Sequence, residues 1–396
     1  MSHRNYSVLS SERCDNYSHK DMLGYLAPIQ AKNRDSGFAV CSYTHGYGTS
    51  IPTNAYIGGA YSPTQNRIYL SPYSTATTTT WHYINCNTGA VVEYTAPALG
   101  GSQHSLAYDP VKDRIYLFPN VALGTWSYIN CKTSEVLTYP SGDASVAGFA
   151  GGSYSPKQQK IYLTPYSGSD SSTWYGIDCA SGTTFSYTNN SGVSPVNFGY
   201  VGACYSPIQD RVYFTPAAQS TGTHWHYVDC STGSVVAYAH GATPSNAIIG
   251  GIYSPFQNRI YIAPYNDSAS STWYYIDCNT GAIVPYTGAS GLPAATYYSG
   301  AYSPATNRIY LCPRYGGGPG AVWHYIDCNT GAVVPYTHGI TTVANAYLGM
   351  VYSPTQSRIY LVPWAQAAQS TWHYIQEFTS AEVAPVVASY PMFNKF

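Results

Sequence analysis

The side chains that could do chemistry in this chain are few, and they recur at regular intervals. Histidine follows a tryptophan at His82, His226, His324 and His373, while Ser127, Tyr175 and Tyr274 take that place elsewhere. His224 and His226 stand two apart in an extended stretch, so both would project from one face of a strand. Such a pair can chelate a metal, but a zinc site needs three or four convergent ligands, and no third ligand is spaced to join them. No metal is expected, and these histidines read as hydrogen-bonding groups between neighbouring repeats. An aspartate precedes cysteine at Asp178, Asp229, Asp277 and Asp327, with Asn85 and Asn130 in other copies. A cation recurs at Arg67, Arg114, Arg211, Arg259, Arg308 and Arg358, with Lys160 in the remaining copy. A residue repeated in every copy is architectural, because an active site breaks the symmetry of its scaffold. The arginines are therefore expected to tie a turn to neighbouring carbonyls or to the aspartates. Most of the 10 cysteines also recur singly, at equivalent positions too far apart to bridge. They read as small buried thiols of a protein made in a reducing compartment.

Catalytic motifs are missing. There is no G-x-S-x-G, no suggestive Cys–His spacing, no phosphate loop and no dinucleotide fingerprint. Carboxylates are too scarce for the facing pair that glycosidases use. The stretches SGSDSSTW (167–174) and NDSASSTW (266–273) fall short of a sialidase Asp-box, with the wrong Asp-to-Trp distance and no arginine cluster. The chain is expected not to be an enzyme and to need no cofactor. Composition narrows the classes further. With 17 Lys+Arg against 18 Asp+Glu, a net charge of -1 and 9% charged residues among 396, there is no electrostatic footprint for nucleic acid or an anionic membrane surface. A content of 44% hydrophobic and 15% aromatic residues, with 43 Tyr, argues against disorder. No apolar run is long enough to span a bilayer, and the N-terminus lacks the apolar core of a secretory signal. The N-x-S sites at Asn5, Asn16, Asn189 and Asn266 are accordingly discounted as glycosylation sites.

The elements that must position these residues come from an internal repeat. Seven copies begin at Tyr61, Tyr108, Tyr154, Tyr205, Tyr253, Tyr302 and Tyr352, spaced 46 to 51 residues apart. Each reads as four short strands: a Gly-rich segment (AYIGGAYS, 55–62), the turn SPTQNR, a second strand (RIYLSPY, 67–73), a Ser/Thr/Gly loop, a third strand (TWHYINC), the tight turn CNTG, and a fourth strand (AVVEY). Seven four-stranded units predict an all-β fold, a seven-bladed β-propeller with the small residues of the first strand nearest the axis. A solenoid would need polar caps at its ends, and none is seen. The pattern Y-S-P-x-x-N-R-I-Y-L followed by W-H-Y-I-D-C-N-T-G-x-V-V resembles YVTN-type and other WD-like propeller repeats over residues 38–396. That resemblance implies the architecture and no particular function. The Tyr-rich, charge-poor copies also look similar to repeat proteins of unknown role from large DNA viruses and phages.

Residues 38–46 (FAVCSYTHG) resemble the outer-strand segment 332–339 (AVVPYTHG), although no blade precedes them. The last repeat departs from the pattern after TWHYIQ (371–376). Residues 38–44 are therefore expected to complete the last blade and close the ring, with 381–387 (AEVAPVV) as the alternative. Residues 1–36 hold nine charged residues against 26 in the other 360, which marks an N-terminal arm ahead of a propeller spanning 37–396. Its readings are a solvated tail or an arm that docks on a neighbouring subunit.

In a four-stranded blade the connections alternate between two ends. Here the first-to-second and third-to-fourth turns are nearly constant, whereas the second-to-third loops and the crossovers vary. Variation thus falls on one face, where loops on a rigid scaffold carry binding. Tyr73, Tyr166, Tyr265, Tyr315 and Trp364 are the candidate binding residues there, since such rings suit interfaces and sugar sites. The expected function is a non-enzymatic structural or binding protein, in its most specific form a virion-surface or appendage component using this face for attachment or assembly. A carbohydrate-binding lectin and a soluble protein-interaction scaffold are the alternatives.

Overall fold

The computed structural model describes residues 37–142, 148–167, 172–241, 244, 248–265, 270–293, 296–314 and 322–378. The arm (1–36), Tyr315, the centre of both Asp-like loops, Asn5, Asn16, Asn266 and the segment 381–387 lie outside the described residues.

The strands form seven antiparallel sheets of four. In blade 1 these are Tyr56–Ser62, Arg67–Pro72, Thr80–Asn85 and Val91–Thr95, in sequence order. The first strands of successive blades touch one another in a complete cycle, including blade 7 with blade 1. The fold is a closed seven-bladed propeller. The chain supports this arrangement locally. The residue before each recurrent cation takes a left-handed conformation, at Asn66, Asp113, Gln159, Asp210, Asn258, Asn307 and Ser357. Asn and Asp tolerate that region better than other non-glycine residues. In five copies the Tyr that opens the repeat donates its hydroxyl to this residue, as Tyr61 does to Asn66 Oδ1 at 2.9 Å and Tyr205 to Asp210 Oδ1 at 2.8 Å.

The core lies between blades. Trp81, Trp126, Trp174, Trp225, Trp273, Trp323 and Trp372 are each no more than 2% exposed. A fourth-strand tyrosine meets the tryptophan edge-on, for example Tyr94 on Trp81 at 6.2 Å and 89°. The first strands approach so closely that small residues are required. A Cβ on Gly349 would lie 3.1 Å from the Ile57 carbonyl oxygen, and one on Gly151 3.1 Å from that of Val201.

Blade 7 is completed from the other end of the chain. Phe38–Thr44 pairs antiparallel with Thr371–Glu377, Phe38 opposite Glu377 and Thr44 opposite Thr371. The strand supplies the missing members of the repeat. Tyr43 meets Trp372 edge-on at 6.4 Å. His45 lies against Trp372 at 4.6 Å, as His240 does on Trp225 at 4.1 Å and His338 on Trp323 at 4.3 Å. The outer place is thereby filled by Phe38–Thr44. Pairing the two ends covers the third-strand edge that the last repeat would otherwise leave bare.

Candidate functional site

The recurrent residues sit on one end of the disc and inside the blades. Asn66 donates through Nδ2 to Asn87 Oδ1 at 2.7 Å, which links the first-to-second turn to the third-to-fourth turn of its blade. The same link joins Asn258 to Asn279 and Asn307 to Asn329. The two near-constant turns therefore share one face. Each recurrent guanidinium stacks on the third-strand tyrosine rather than chiefly on the aspartate. Arg67 lies 4.2 Å from the Tyr83 centroid, Arg114 4.1 Å from Tyr128, Arg211 4.3 Å from Tyr227, Arg259 4.2 Å from Tyr275, Arg308 4.4 Å from Tyr325 and Arg358 4.4 Å from Tyr374. Lys160 lies over Phe185 at 4.9 Å. The tight turn of the next blade covers this pair. Arg67 Nη1 donates to Ser134 Oγ at 2.8 Å, and a Cβ on Gly89 would meet Arg358 Nη1 at 3.0 Å. The aspartates open the tight turns instead. Asp178 Oδ1 accepts from the Ser181 N–H, and Asp229, Asp277 and Asp327 accept from the backbone N–H two residues on.

Through Nδ1 the third-strand histidines bond within their own blade. Tyr56, Tyr200 and Tyr297 hydroxyls lie 2.5, 2.5 and 2.6 Å from Nδ1 of His82, His226 and His324, and Tyr347 pairs likewise with His373. The repeat signals this coupling. Where the partner is Gln103, Phe149 or Ile248, the histidine is replaced by Ser127, Tyr175 or Tyr274. His226 Nε2 lies 3.0 Å from the Val193 carbonyl, so this nitrogen carries the proton and Nδ1 accepts from Tyr200. Burial holds His82 and His373 down to about 4. His224 and His226 do not converge on a shared ligand, since His226 faces Tyr200 while His224 Nδ1 lies 2.9 Å from Thr223 Oγ1. Among the described residues no three His, Cys, Asp or Glu side chains group together.

The opposite face is organised around the mouth of the axial channel. The residue after the recurrent proline at or next to the end of each second strand is Tyr73, Asn120, Tyr166, Ala217, Tyr265, Arg314 or Trp364. This position differs from blade to blade, while the proline before it does not. Four of the five candidates occupy it. Blade 6 places Arg314 there, and Tyr315 lies outside the described residues.

The rings form an arc. Trp364 meets Tyr73 at 4.7 Å, Tyr73 approaches His104 at 6.2 Å, His104 stacks on Tyr166 at 5.3 Å and 24°, and Tyr166 meets Phe198 at 4.9 Å. On the far side Tyr298 meets Tyr265 at 5.6 Å, and Arg314 Nη1 donates to the Tyr265 hydroxyl at 2.6 Å with its guanidinium 5.2 Å from that ring. His104 and Tyr298 are equivalent first-strand residues that line the channel with Ser105, Ser299 and the glycines.

The two sides feel one another. Burial raises the Tyr298 phenol, Tyr166, Tyr265 and Tyr73 add to the rise, and Arg314 opposes it. Burial likewise lowers His104 to about 4, against the pull of its bond to the Ala150 carbonyl. His104 is thus neutral near pH 7, and its Nδ1 is buried without a partner. Sequence reasoning missed His104, Phe198, Tyr298 and Arg314. The available signal was departure from the repeat: His104 and Tyr298 stand where other blades have Ile57, Ala150, Val201, Ile249 and Leu348.

Comparison with known proteins supports the architecture. No known family profile matches the chain, and no curated protein does. Among solved structures, the chain superposes with a TM-score of 0.59 on the extracellular domain of hybrid two-component system BT3049 from B. thetaiotaomicron, at 11% identity over 85% of this chain and 42% of that one. It superposes equally, at 0.59 and 10% identity, on a chain of the Mitotic Checkpoint Complex, covering 85% of this chain and 91% of that one. At such identities the likeness concerns the fold alone. The present chain spans about two fifths of the first of these. No helix among the described residues is long and apolar enough to cross a membrane.

Proposed function

We propose that this protein is a non-enzymatic recognition scaffold whose binding surface is the channel mouth on the variable-loop face. The carrying observation is the contrast between equivalent positions. Arginine-on-tyrosine stacks and tight turns repeat almost unchanged around one face, whereas the rim runs Tyr, Asn, Tyr, Ala, Tyr, Arg, Trp. The proline before this position is constant while the position itself varies, and half-buried aromatic rings at such a position suit recognition. The absence of acid–base machinery in the sequence supports a binding role over catalysis. One solved neighbour belongs to a protein assembly, in keeping with a scaffold role.

The mount would be the other face. The Phe378 N–H donates to the Gly37 carbonyl at 2.9 Å, so residues 1–36 and 379–396 both join the propeller at the constant-turn end, opposite the mouth. In its more specific form the protein is an assembly component, such as one on a virion surface, fixed through the arm with the mouth outward. Low charge and abundant Tyr support this version.

The test is capture of native partners, read by mass spectrometry, with Tyr73→Ala/Tyr166→Ala at the mouth and Ile208→Ser/Phe256→Ser on the exposed constant-face turns. Loss of partners with the first pair and retention with the second is expected. The reverse pattern refutes the assignment. Removal of residues 1–36 is expected to abolish ordered assembly while leaving mouth-dependent capture intact.

A further inference from the structure

Resting on the reading of the mouth as the recognition surface, we infer that its ligand is an acidic saccharide, a sugar ring carrying a carboxylate that lies between the Tyr73–Tyr166 side and Arg314. Three observations converge. First, Arg314 is the one cation among the seven rim positions, and its guanidinium is held in place by the Tyr265 hydroxyl at 2.6 Å. Among the described residues no carboxylate stands within ion-pair reach of it, unlike a cation that merely completes a structural pair. Second, hydroxyl donors face the same space, from Tyr298 beside Tyr265 and from Ser105 in the channel wall. The described channel lining contains no Asp or Glu. A fixed guanidinium with neutral hydroxyl donors, and no competing anion among the described residues, selects a carboxylate. Third, the opposite wall offers ring surface. Trp364, Tyr73, His104 and Tyr166 run as a continuous arc. Such a run of rings matches the apolar C–H faces of a sugar ring.

An acidic peptide is the competing occupant. It would bring a backbone whose donors and acceptors need continuous partners along the groove. The polar groups at the mouth are instead a few separate points among aromatic rings, which suits the scattered hydroxyls of a sugar better than a continuous backbone.

The experiment uses the full chain on a glycan array with matched acidic and neutral members, followed by titration calorimetry. The titrated pairs are sialyllactose against lactose and trigalacturonate against its methyl ester, with an Asp/Glu-rich peptide alongside. Binding of acidic members at least tenfold tighter than their neutral partners is expected. Arg314→Gln should remove that preference, and Tyr166→Ala should weaken both members. Phe256→Ser, on the other face, should change neither. Equal binding of acidic and neutral members, or an unchanged preference in Arg314→Gln, overturns the inference and leaves the mouth as the recognition surface. Binding of the peptide with no acidic glycan bound also overturns it. If no glycan binds and partner capture survives Tyr73→Ala/Tyr166→Ala, both this inference and the reading of the mouth fall.

Discussion

Deleting one oxygen at two places in blade 4 should move stability in opposite directions. Tyr200 is fully buried and donates to His226 Nδ1 at 2.5 Å, while His226 Nε2 is engaged by the Val193 carbonyl. Tyr200→Phe therefore strands a buried lone pair on a ring that cannot turn to find another donor. Stripping a buried acceptor of its partner costs about 1–3 kcal/mol. Tyr238 lies in the fourth strand of the same blade, opposite Trp225, with its hydroxyl buried and unpartnered. Tyr238→Phe removes a hydroxyl that already bears its desolvation penalty, so the variant is expected to be neutral or about 1 kcal/mol more stable. The two changes remove the same atom, which makes their difference, about 2 kcal/mol, the informative quantity. A third variant carries the internal control. Blade 3 uses Phe149 with Tyr175 at these positions, so Tyr200→Phe/His226→Tyr should recover much of the loss. The assay is urea unfolding followed by tryptophan fluorescence, with one buried Trp per blade as reporter. Equal destabilisation by both single variants, or a neutral Tyr200→Phe, would refute the hydrogen-bond reasoning.

Acid should destabilise the ring through its histidines. Burial lowers His82, His338 and His373 to about 4 from an ordinary 6.5, so their contribution is complete above pH 6.5 and is lost as pH falls toward 4. Each is worth at most about 3 kcal/mol, and His373→Gln should flatten the acid limb of a melting-temperature profile. Glu377 has the opposite sign. It is 3% exposed and accepts from Ser303 and Thr306 of blade 6, and burial raises it. Its stabilising effect is thus present in acid and lost as pH rises through its folded value, so Glu377→Gln should remove that dependence in a comparison at pH 4 and pH 8. Phe38→Ala should cost about 3–5 kcal/mol, because the ring is 1% exposed against Tyr310, Tyr325 and Tyr336, and it should increase aggregation measured by light scattering. Gly250→Ala should destabilise in calorimetry, since φ is +69° and a Cβ would lie 2.8 Å from the Tyr298 carbonyl oxygen.

Much of this protein is determined by local sequence. Period, turn chemistry and alternating strands are written seven times, and each copy needs only its own residues to set them. The left-handed Asn66 position and the glycine of CNTG fix hairpins within a blade. The likeness of FAVCSYTHG to AVVPYTHG even places the closing strand, because Tyr43 and His45 keep the side chains that Trp372 requires. Tertiary structure decided what depends on distances between copies. The arginines look like partners for the aspartates, which register places opposite them, yet the guanidinium gains more from the tyrosine face two residues along. The histidines looked free to bridge blades until the fold set Tyr200 over His226 across two strands. The mouth is the clearest case. Tyr73, His104, Tyr166, Tyr298 and Arg314 come from five different stretches of the chain between positions 73 and 314, and only closing seven wedges about one axis brings them to a single opening.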